Sequence, residues 1–411
     1  MIRQMRVAII GQGYVGLTIS IGALSAGHEV VGIDHSEAVV DGLNSGTSHI
    51  EGITNQDLVA GISSGKFIAT NSYESARDAD VVVIAVPTPL DGSGKPDLSL
   101  LKSAGESLSS VLTKSTLLIN ESTSHPGTLR EIIKPLVDSG KNLGHRYAIS
   151  PERVDPGNKT YGTRNTPRIV GGLDDRARDE AVGFYRTFCD AVVPVSSAEV
   201  AEAAKLFENT FRFINIGLVN EFAQIMGAMG IPADEVLAAA GTKPYGFMPF
   251  HPNVGIGGHC IPVDPLYLQA RAADFGLSSK YIAVSEDINH AMPKFVVDRL
   301  SEEVGGLSGK KILVVGVSYK AEIADTRETP ATPFINYLKQ AGAKVSWHDP
   351  IVEQWNGERS SPINGDYDLA VVLVAHSSLT MNEWKKGPIF SANANPQFPH
   401  WIPLISVRPN K

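Results

Sequence analysis

The stretch VAIIGQGYVG, residues 7–16, decides the fold at the start of this chain. Four apolar residues end at Gly11, and such a run closing on a glycine is typical of a buried strand. The apolar residues 14–27 follow and close on Gly27, which indicates a helix. Because Gln12 and four glycines interrupt residues 7–24, we interpret them as strand, tight turn and helix rather than as a signal or membrane segment.

The glycines of this turn have the spacing of a dinucleotide-binding loop. Such glycines allow the tight turn and let a pyrophosphate approach the helix N-terminus. Asp34 ends the second predicted strand, EVVGID, where a carboxylate can hold ribose hydroxyls and disfavours the extra phosphate of NADP. The alternative is a glycine-rich turn beside a surface aspartate. We predict that NAD is bound here by Gly11, Gly13, Tyr14, Val15, Gly16 and Asp34.

Strand-like and helix-like stretches continue to alternate up to about Ser196. The further predicted strands are DVVVIAVP (80–87), STLLINES (115–122), YAIS (147–150), RIVGG (168–172) and AVVPV (191–195). Alternation of this kind predicts a largely parallel, doubly wound sheet. We therefore assign residues 1–196 to one nucleotide-binding α/β domain.

The pattern becomes helical in the middle of the chain and then starts again. Residues 198 to about 229 contain no proline and have apolar residues at helical spacing, which predicts one long helix. KILVVGVSYK (311–320) later repeats the strand and glycine of the chain start. The predicted fold is α/β, with two Rossmann-like doubly wound domains (1–196 and 306–411) joined by a helical segment (197–305).

Composition restricts the class of protein. The 411 residues are 43% hydrophobic and 19% charged, as in a soluble globular protein, and their net charge of −8 does not favour a nucleic-acid or membrane partner. Two cysteines cannot build a disulfide framework, and their scarcity fits a reducing compartment. We therefore expect a cytoplasmic protein.

Cys260 lies in the glycine-rich stretch GIGGHCIPVDP, residues 255–265. A thiolate beside an NAD site can add to an aldehyde, and the thiohemiacetal can lose a hydride to become a thioester that water hydrolyses. Gly257 would let substrate approach the backbone, and Asp264 could help to activate that water. The alternative is that Cys260 is a small buried apolar residue, and this stretch alone favours neither interpretation.

The surroundings of the cysteines do not indicate a metal site. His259, Cys260 and Asp264 lack the paired-cysteine or two-histidine spacing of metal ligands. Cys189 lies in an amphipathic helix-to-strand context, where we predict a buried side chain.

Polar side chains on the long helix and at strand ends complete the candidate site. Lys205 and Asn209 could stabilise the oxyanion formed when a thiolate attacks an aldehyde, and Arg212 and Asn220 lie near the same helical face. The alternative is a solvated helix face. Strand ends, where ligands bind in doubly wound sheets, and the opening of the last domain contribute further candidates, namely Thr123, Glu152, Arg153, Lys320 and Arg327. Each of these could instead be a polar turn or a surface charge.

Taken together, the motifs resemble the nucleotide-sugar 6-dehydrogenases over nearly the whole chain. The matching motifs occur in family order: GQGYVG, SPER, KLFENTFRFINIGLVNE, GIGGHCIPVDP and SYKAEIADTRE. The resemblance implies oxidation of a UDP-sugar C6 alcohol to a carboxylate, with NAD consumed in both steps. It also implies a homodimer built through the central helices, or a dimer of dimers.

The resemblance also implies residue roles. Cys260 would be the nucleophile, Lys205 and Asn209 would stabilise the oxyanion, and Asp264 would support the thiol and water chemistry. Thr123 and Glu152 would position or deprotonate the hydrolytic water. Cofactor contacts would extend to Pro87, Thr88 and Arg327. Substrate contacts would come from Glu152, Arg153, Lys205, Asn209, Arg212, Phe250, Gly257 and Lys320.

Within the family, two stretches look most like the enzymes acting on UDP-N-acetylglucosamine, namely residues 150–158 and 238–252. UDP-N-acetylmannosamine and UDP-glucose are the alternative substrates. Asn253 and Val254 stand where the family more typically has Gly-Pro. Two other classes remain open: a hydroxy-acid dehydrogenase in which Cys260 is structural, and a protein that binds NAD or a nucleotide sugar without catalysis.

Overall fold

A computed structural model describes residues 3–50, 53–141, 143–155, 158, 160–395 and 397–406. The chain divides into two compact units. The first unit contains residues 1–208 and 266–277, and the second contains residues 209–265 and 278–411. Pro156 and Gly157 of the stretch 150–158, which bears on sugar preference, lie outside the described residues.

The first unit is an α/β structure. Its strands are β1 (Arg6–Ile10), β2 (Glu29–Ile33), β3 (Phe67–Thr70), β4 (Val81–Ile84), β5 (Leu117–Asn120), β6 (Arg146–Ile149), β7 (Arg168–Gly172) and β8 (Val192–Pro194). Its helices are α1 (Tyr14–Ser25), α2 (Glu37–Asn44), α3 (Asn55–Ser63), α4 (Ser99–Val111), α5 (Lys134–Asp138) and α6 (Asp175–Tyr185), with single 3-10 and π turns at Tyr73–Ala76 and Leu129–Ile133.

Across the described residues these strands form one eight-stranded sheet in the order β3-β2-β1-β4-β5-β6-β7-β8. Strands β1 to β6 all run parallel to one another, whereas β7 runs antiparallel to β6. The carboxyl ends of β1, β4, β5 and β6 therefore lie along one edge. Chain order reverses beside β1, and ligands bind at such an edge next to the reversal.

Burial explains why the opening stretch folds as predicted. Val7, Ala8 and Ile9 of β1 are fully buried, and Val7 and Ile9 pack with Leu17 and Ile19 of α1 in the core of this unit. At the helix end, Gly27 takes a left-handed φ of +88°. That conformation, which glycine adopts without a steric penalty, reverses the chain into β2.

The second unit contains the helical middle and a smaller α/β part. Its helices are α8 (Ala233–Gly241), α10 (Lys280–Val304) and α11 (Ala331–Gln340), and α7 (Ala198–Ala228) and α9 (Asp264–Asp274) each cross the division between the units. Its strands are β9 (Lys311–Val315), β10 (Lys344–His348), β11 (Gln354–Trp355), β12 (Glu358–Arg359), β13 (Leu369–Val372), β14 (Ile389–Ser391) and β15 (Ile402–Pro403).

In the described residues, five of these strands form a parallel sheet in the order β10-β9-β13-β14-β15. The segments that follow β9, β10 and β13 therefore lie at one edge, and the first of them carries Lys320. There, His376 after β13 lies 3.3 Å from a carboxylate oxygen of Asp349 after β10. The Nδ1 atom of His376 accepts a hydrogen bond from the backbone N–H of Glu322 at 3.0 Å.

The predicted α/β class is confirmed, with two doubly wound domains and one long central helix. The division at residues 196 and 305 stays a prediction. Among the residues described, no helix combines the length and the apolar character that a membrane crossing requires.

Candidate active site

The glycine-rich stretch at 11–16, which forms the turn after β1 and the start of α1, has no room for side chains at two of its three glycines. Gly11 has φ +86°, and a Cβ atom on it would lie 2.4 Å from the carbonyl oxygen of Ala85. A Cβ atom on Gly16 would lie 1.8 Å from the carbonyl oxygen of Gly11. At Gly13 a Cβ atom would meet nothing within 4 Å. The turn is therefore packed on one side and open where α1 begins, so a pyrophosphate can approach the backbone.

The carboxylate of Asp34 is oriented by two backbone groups. Its Oδ2 accepts a hydrogen bond from the N–H of Gln12 at 2.8 Å, and its Oδ1 accepts one from the N–H of Ser36 at 3.0 Å. The first bond ties the carboxylate to the glycine-rich turn. The arrangement fits NAD: Gly13 leaves room for the pyrophosphate, Tyr14 and Val15 open the helix, and Asp34 would hold ribose hydroxyls.

The turns after β4 and β5 are joined to each other. The hydroxyl of Ser122 accepts a hydrogen bond from the N–H of Val86 at 2.9 Å and donates to the carbonyl oxygen of Val86 at 2.8 Å. The hydroxyl of Tyr267 donates to the carbonyl oxygen of Thr88 at 3.0 Å. Pro87, Thr88 and Thr123 therefore lie in linked turns at the sheet edge where the glycine-rich turn lies.

Glu152 follows β6 and accepts three hydrogen bonds. Its Oε1 accepts from the backbone N–H groups of Arg153 and Val154, both at 2.6 Å. Its Oε2 accepts from Nη2 of Arg168 at 3.0 Å. Burial raises the pKa of Glu152, but Arg168, the two N–H groups and Lys205 outweigh it and lower the pKa below the ordinary value. Glu152 is therefore held as a carboxylate.

Arg153 points away from Glu152 and pairs with another carboxylate. Its Nη2 and Nε donate to Glu208 at 2.6 and 3.2 Å, and its Nη1 donates to the carbonyl oxygen of Pro167 at 2.6 Å. To contact substrate as predicted, Arg153 would have to give up some of these hydrogen bonds.

Glu202 anchors the start of α7 in the first unit. Its carboxylate oxygens accept hydrogen bonds from the backbone N–H groups of Gly127 at 2.7 Å and Leu129 at 3.1 Å. Burial raises the pKa of Glu202 to about 7, against the effect of these two bonds. Lys205 lies one turn further along α7, so this contact helps to set its position.

In the second unit, the stretch that carries Cys260 packs tightly at its glycines. A Cβ atom on Gly257 would lie 2.7 Å from the Cβ of Tyr319, and Gly258 has φ +87° with its N–H donating to the carbonyl oxygen of Arg327 at 3.1 Å. Cys260 is partly exposed. Its carbonyl oxygen accepts a hydrogen bond from the N–H of Asp264 at 2.9 Å, where α9 begins.

Asn209 and Asp264 contact each other directly. The Nδ2 atom of Asn209 donates to Oδ2 of Asp264 at 2.5 Å, and both side chains are buried. This bond joins α7 to the start of α9. Two residues predicted separately, one from the long helix and one from the cysteine stretch, are thus brought together.

Arg327 forms an ion pair with its near neighbour Asp325. Its Nε lies 3.0 Å from both carboxylate oxygens of Asp325. The hydrogen bonds with Asp325 raise the pKa of Arg327, burial lowers it, and Tyr319 and Cys260 add smaller electrostatic effects. Lys320 is half-buried in the same segment, and its carbonyl oxygen accepts a hydrogen bond from the hydroxyl of Ser318 at 3.0 Å.

The other polar residues predicted on the long helix differ in their surroundings. Arg212 is exposed, whereas Asn220 is fully buried. Oδ1 of Asn220 accepts a hydrogen bond from the N–H of Asn253 at 2.7 Å, and the N–H of Val254 donates to Asn253 Oδ1 at 2.8 Å. A proline at 254 has no N–H and could not donate this hydrogen bond, so Asn253 and Val254 hold the segment differently from the usual Gly-Pro. Phe250 packs edge-on against Phe211, with ring centroids 5.8 Å apart.

The cysteine prediction is confirmed for Cys189, which is buried and 6% exposed. In the described part of the chain, no group of three or more His, Cys, Asp or Glu side chains has an arrangement that could hold a metal ion.

Sequence reasoning missed a buried group behind Glu152, formed by Glu121, Arg168 and Tyr185. Nη1 of Arg168 donates to Oε2 of Glu121 at 2.7 Å, and the Tyr185 hydroxyl donates to Oε1 of the same carboxylate. A signal was available, because Arg168 opens an otherwise apolar strand and Glu121 follows another. Gln12 was also missed as a buried side chain, whose Oε1 accepts from the Ser20 hydroxyl.

Three family models match the chain in succession. They describe the UDP-glucose/GDP-mannose dehydrogenase family: its NAD binding domain matches residues 5–189, its central domain residues 199–291, and its UDP binding domain residues 313–393.

Curated relatives match along almost the entire chain. A UDP-N-acetyl-D-mannosamine dehydrogenase of Pyrococcus horikoshii is 34% identical, with 93% of this chain and 92% of the relative covered. A UDP-N-acetyl-D-glucosamine 6-dehydrogenase of Pseudomonas aeruginosa is 32% identical, with 91% of each covered. Among solved structures, a UDP-D-ManNAc dehydrogenase from Pyrococcus horikoshii superposes with a TM-score of 0.86 at 32% identity, covering 94% of this chain and 95% of that one.

Proposed function

Because this chain belongs to the UDP-glucose/GDP-mannose dehydrogenase family and is an NAD-dependent UDP-sugar dehydrogenase, we propose that it oxidises the C6 alcohol of a UDP-N-acetylhexosamine to the carboxylate through a thioester on Cys260. The observation that carries this proposal is the 2.5 Å hydrogen bond between Asn209 and Asp264. It joins the polar face of the long helix to the stretch that holds Cys260.

The preferred sugar is proposed to be UDP-N-acetylglucosamine. The stretch at 238–252 and the described part of 150–158 resemble that branch of the family. UDP-N-acetylmannosamine is the second candidate, because a relative named for that sugar is 34% identical over 93% of the chain. The two sugars differ at one epimeric centre.

The chain's residues have distinct tasks in the proposed reaction. NAD held by Gly13 and Asp34 would supply the hydride acceptor for both oxidation steps. Loss of the first hydride, with the hydroxyl proton passing to solvent, leaves an aldehyde, and the Cys260 thiolate adds to its carbonyl carbon. Lys205 and Asn209 stabilise the oxygen anion that results, and Asp264 orients the amide of Asn209.

Hydrolysis completes the proposed reaction. After the second hydride is lost, the sugar carbon is a thioester of Cys260. Glu152 takes a proton from water, which adds to the thioester carbon, and the thiolate of Cys260 leaves. The ionised state of Glu152 supports this role, because a carboxylate must be deprotonated to accept the proton. Thr123 is proposed to position the water, and Lys320 to bind the substrate.

Product stoichiometry tests the proposal. The purified protein is incubated with limiting UDP-N-acetylglucosamine, UDP-N-acetylmannosamine or UDP-glucose, and NADH and uronate are measured. We expect about two NADH per sugar consumed and the highest kcat/KM for UDP-N-acetylglucosamine. A ratio near one would instead identify a simple alcohol dehydrogenase with a structural Cys260. Binding with no NADH from any of the sugars would favour a non-catalytic role.

We also propose a homodimer built through α7. Phe211, Leu218 and Ile225 are 39%, 58% and 46% exposed and recur every seven residues, the spacing of a seam between paired helices. Light scattering is expected to give at least twice the chain mass of 43.9 kDa, and Leu218→Glu is expected to lower the mass to that of one chain. A wild-type mass of one chain would contradict the dimer.

A cytoplasmic location also remains a proposal, and it rests on the scarcity of cysteine in the chain.

A further inference from the structure

Arg168 is a buried cation that joins two carboxylates. It is the first residue of β7 and only 4% exposed. Its Nη1 donates to Glu121 Oε2 at 2.7 Å and to the hydroxyl of Ser150 at 3.1 Å, while its Nη2 donates to Glu152 Oε2 at 3.0 Å. One planar guanidinium therefore bridges the residue that follows β5 and a residue that closely follows β6, a geometry that a lysine cannot reproduce.

The direction of β7 explains this position. Strand β7 is antiparallel to β6, with Ile149 opposite Gly171 and Ala148 opposite Gly172. The first residue of β7 therefore lies near the carboxyl end of β6, where Glu152 follows. Had β7 run parallel to β6, the same residue would lie at the opposite edge of the sheet, away from the candidate site.

Tyr185 binds the oxygen of the Glu121 carboxylate that Arg168 does not contact. Its hydroxyl donates to Glu121 Oε1, and its ring lies 4.7 Å from the Arg168 guanidinium carbon. Glu121 and Tyr185 are buried at 1% and 0% exposure. Both oxygens of the Glu121 carboxylate are thus engaged, so Arg168 is held in place by groups that do not contact Glu152.

We infer that Arg168, held by Glu121 and Tyr185, is a positioning residue that keeps the Glu152 carboxylate oriented and ionised for thioester hydrolysis. This inference rests on the proposed function. Arg168 acts through Glu152, and Glu121 weakens its effect only at the pH where Glu121 is ionised, because the two carboxylates then share one positive charge.

The charged and titratable groups around Glu152 come from several elements. Arg168 lies on β7, Lys205 on α7, Glu121 after β5 and Tyr185 on α6, and the guanidinium of neighbouring Arg153 is paired with Glu208. Burial raises the pKa of Glu121 to about 7, Arg168 opposes this effect, and Glu152 adds to it. Glu121 therefore changes charge near neutral pH, while Glu152 remains ionised to lower pH.

This arrangement predicts different effects from substitutions at Arg168 and Glu121. In Arg168→Gln, Glu152 loses its counter-charge, so its pKa rises and the acid limb of the kcat–pH profile moves up by about 1 to 3 pH units. In Glu121→Gln, the acid limb stays near that of the wild type, because burial keeps Glu121 protonated at the lower pH where Glu152 titrates and no negative charge is lost there. A purely structural role for Arg168 would change the rate without moving the acid limb.

The experiment measures kcat against pH at saturating substrates for the wild type and both variants. Arg168→Lys is a second cationic variant for the case in which Arg168→Gln does not fold. It is expected to keep the acid limb near that of wild type but lower kcat, because lysine cannot bridge both carboxylates. Glu180→Gln, which removes a carboxylate paired with Arg146 at the start of β6, is the matched control and is expected to leave the profile unchanged.

A titration without turnover separates this inference from the proposed function. Carbon-13 NMR of glutamate carboxyl groups, with the Glu152 signal identified by its loss in Glu152→Gln, reports the Glu152 pKa directly. A wild-type protein that makes no uronate would contradict the proposed function, while the NMR pKa still tests the link to Arg168. Equal Glu152 pKa values in the wild type and Arg168→Gln, or a rise in Glu121→Gln as large as that in Arg168→Gln, would overturn the inference.

Discussion

Cys260→Ala is expected to lower the rate of uronate formation by at least about a thousandfold, because the proposed acid product requires a covalent thioester. Without the thiolate, the aldehyde has no nucleophile from the chain to convert it into a species that can lose the second hydride. The variant is measured by the initial rate of uronate formation and by NADH per sugar. Residual NADH is expected to come mainly from the first oxidation step, with a ratio below about two.

The second cysteine of the chain supplies the matched control. Cys189 is buried in the first unit, where its Sγ lies 3.5 Å from the carbonyl oxygen of Thr163. Cys189→Ala is expected to retain the rate and stoichiometry of the wild type. If Cys260→Ala also formed uronate at the wild-type rate, the thioester route would be wrong and Cys260 would be structural.

Glu152→Gln is expected to slow steady-state turnover by about 10² to 10⁴, because it removes the proposed base for hydrolysis. Both oxidation steps precede that hydrolysis. The variant should therefore release a burst of about two NADH per subunit and then turn over slowly, with the sugar retained on Cys260 as a thioester. Rapid-mixing absorbance gives the burst, and mass spectrometry of the quenched protein gives the added mass.

Glu180→Gln is the control for loss of one carboxylate from the same unit. Glu180 lies on α6 and pairs with Arg146, at the end of β6 opposite to Glu152. It is expected to show wild-type turnover. A Glu152→Gln protein that turned over at the wild-type rate, or slowed without a burst, would remove Glu152 from the hydrolysis step.

The local contacts of the site suggest why separate residues would act together. Lys205 lies one turn from Asn209 on α7, and Asn209 is held by Asp264, which begins α9 close after Cys260. A change in the contact between Asn209 and Asp264 would therefore alter the groups proposed to stabilise the oxyanion and the cysteine stretch at once. Effects of substitutions at Asn209 and Asp264 should not be additive, because the two side chains share a hydrogen bond.

The elements of the fold could be predicted from the sequence because their signals are local. The apolar run at 7–10 and the glycines at 11, 13 and 16 define the first strand and turn, since backbone sterics depend on neighbouring residues. The proline-free stretch from Ala198 likewise predicted α7, which ends at Ala228. The cysteine, the long-helix polar residues and the strand-end residues were also found as candidates from local sequence.

Only the tertiary structure decided which of these side chains meet. Asn209 and Asp264 are 55 positions apart and form a buried hydrogen bond, while Arg153 turns to Glu208. No periodicity encodes such pairs, because they depend on how helices and strands pack. The antiparallel course of β7 is the clearest case. Because this one strand is reversed, Arg168 contacts Glu152. Arg168, which the sequence did not single out, therefore belongs to the candidate site.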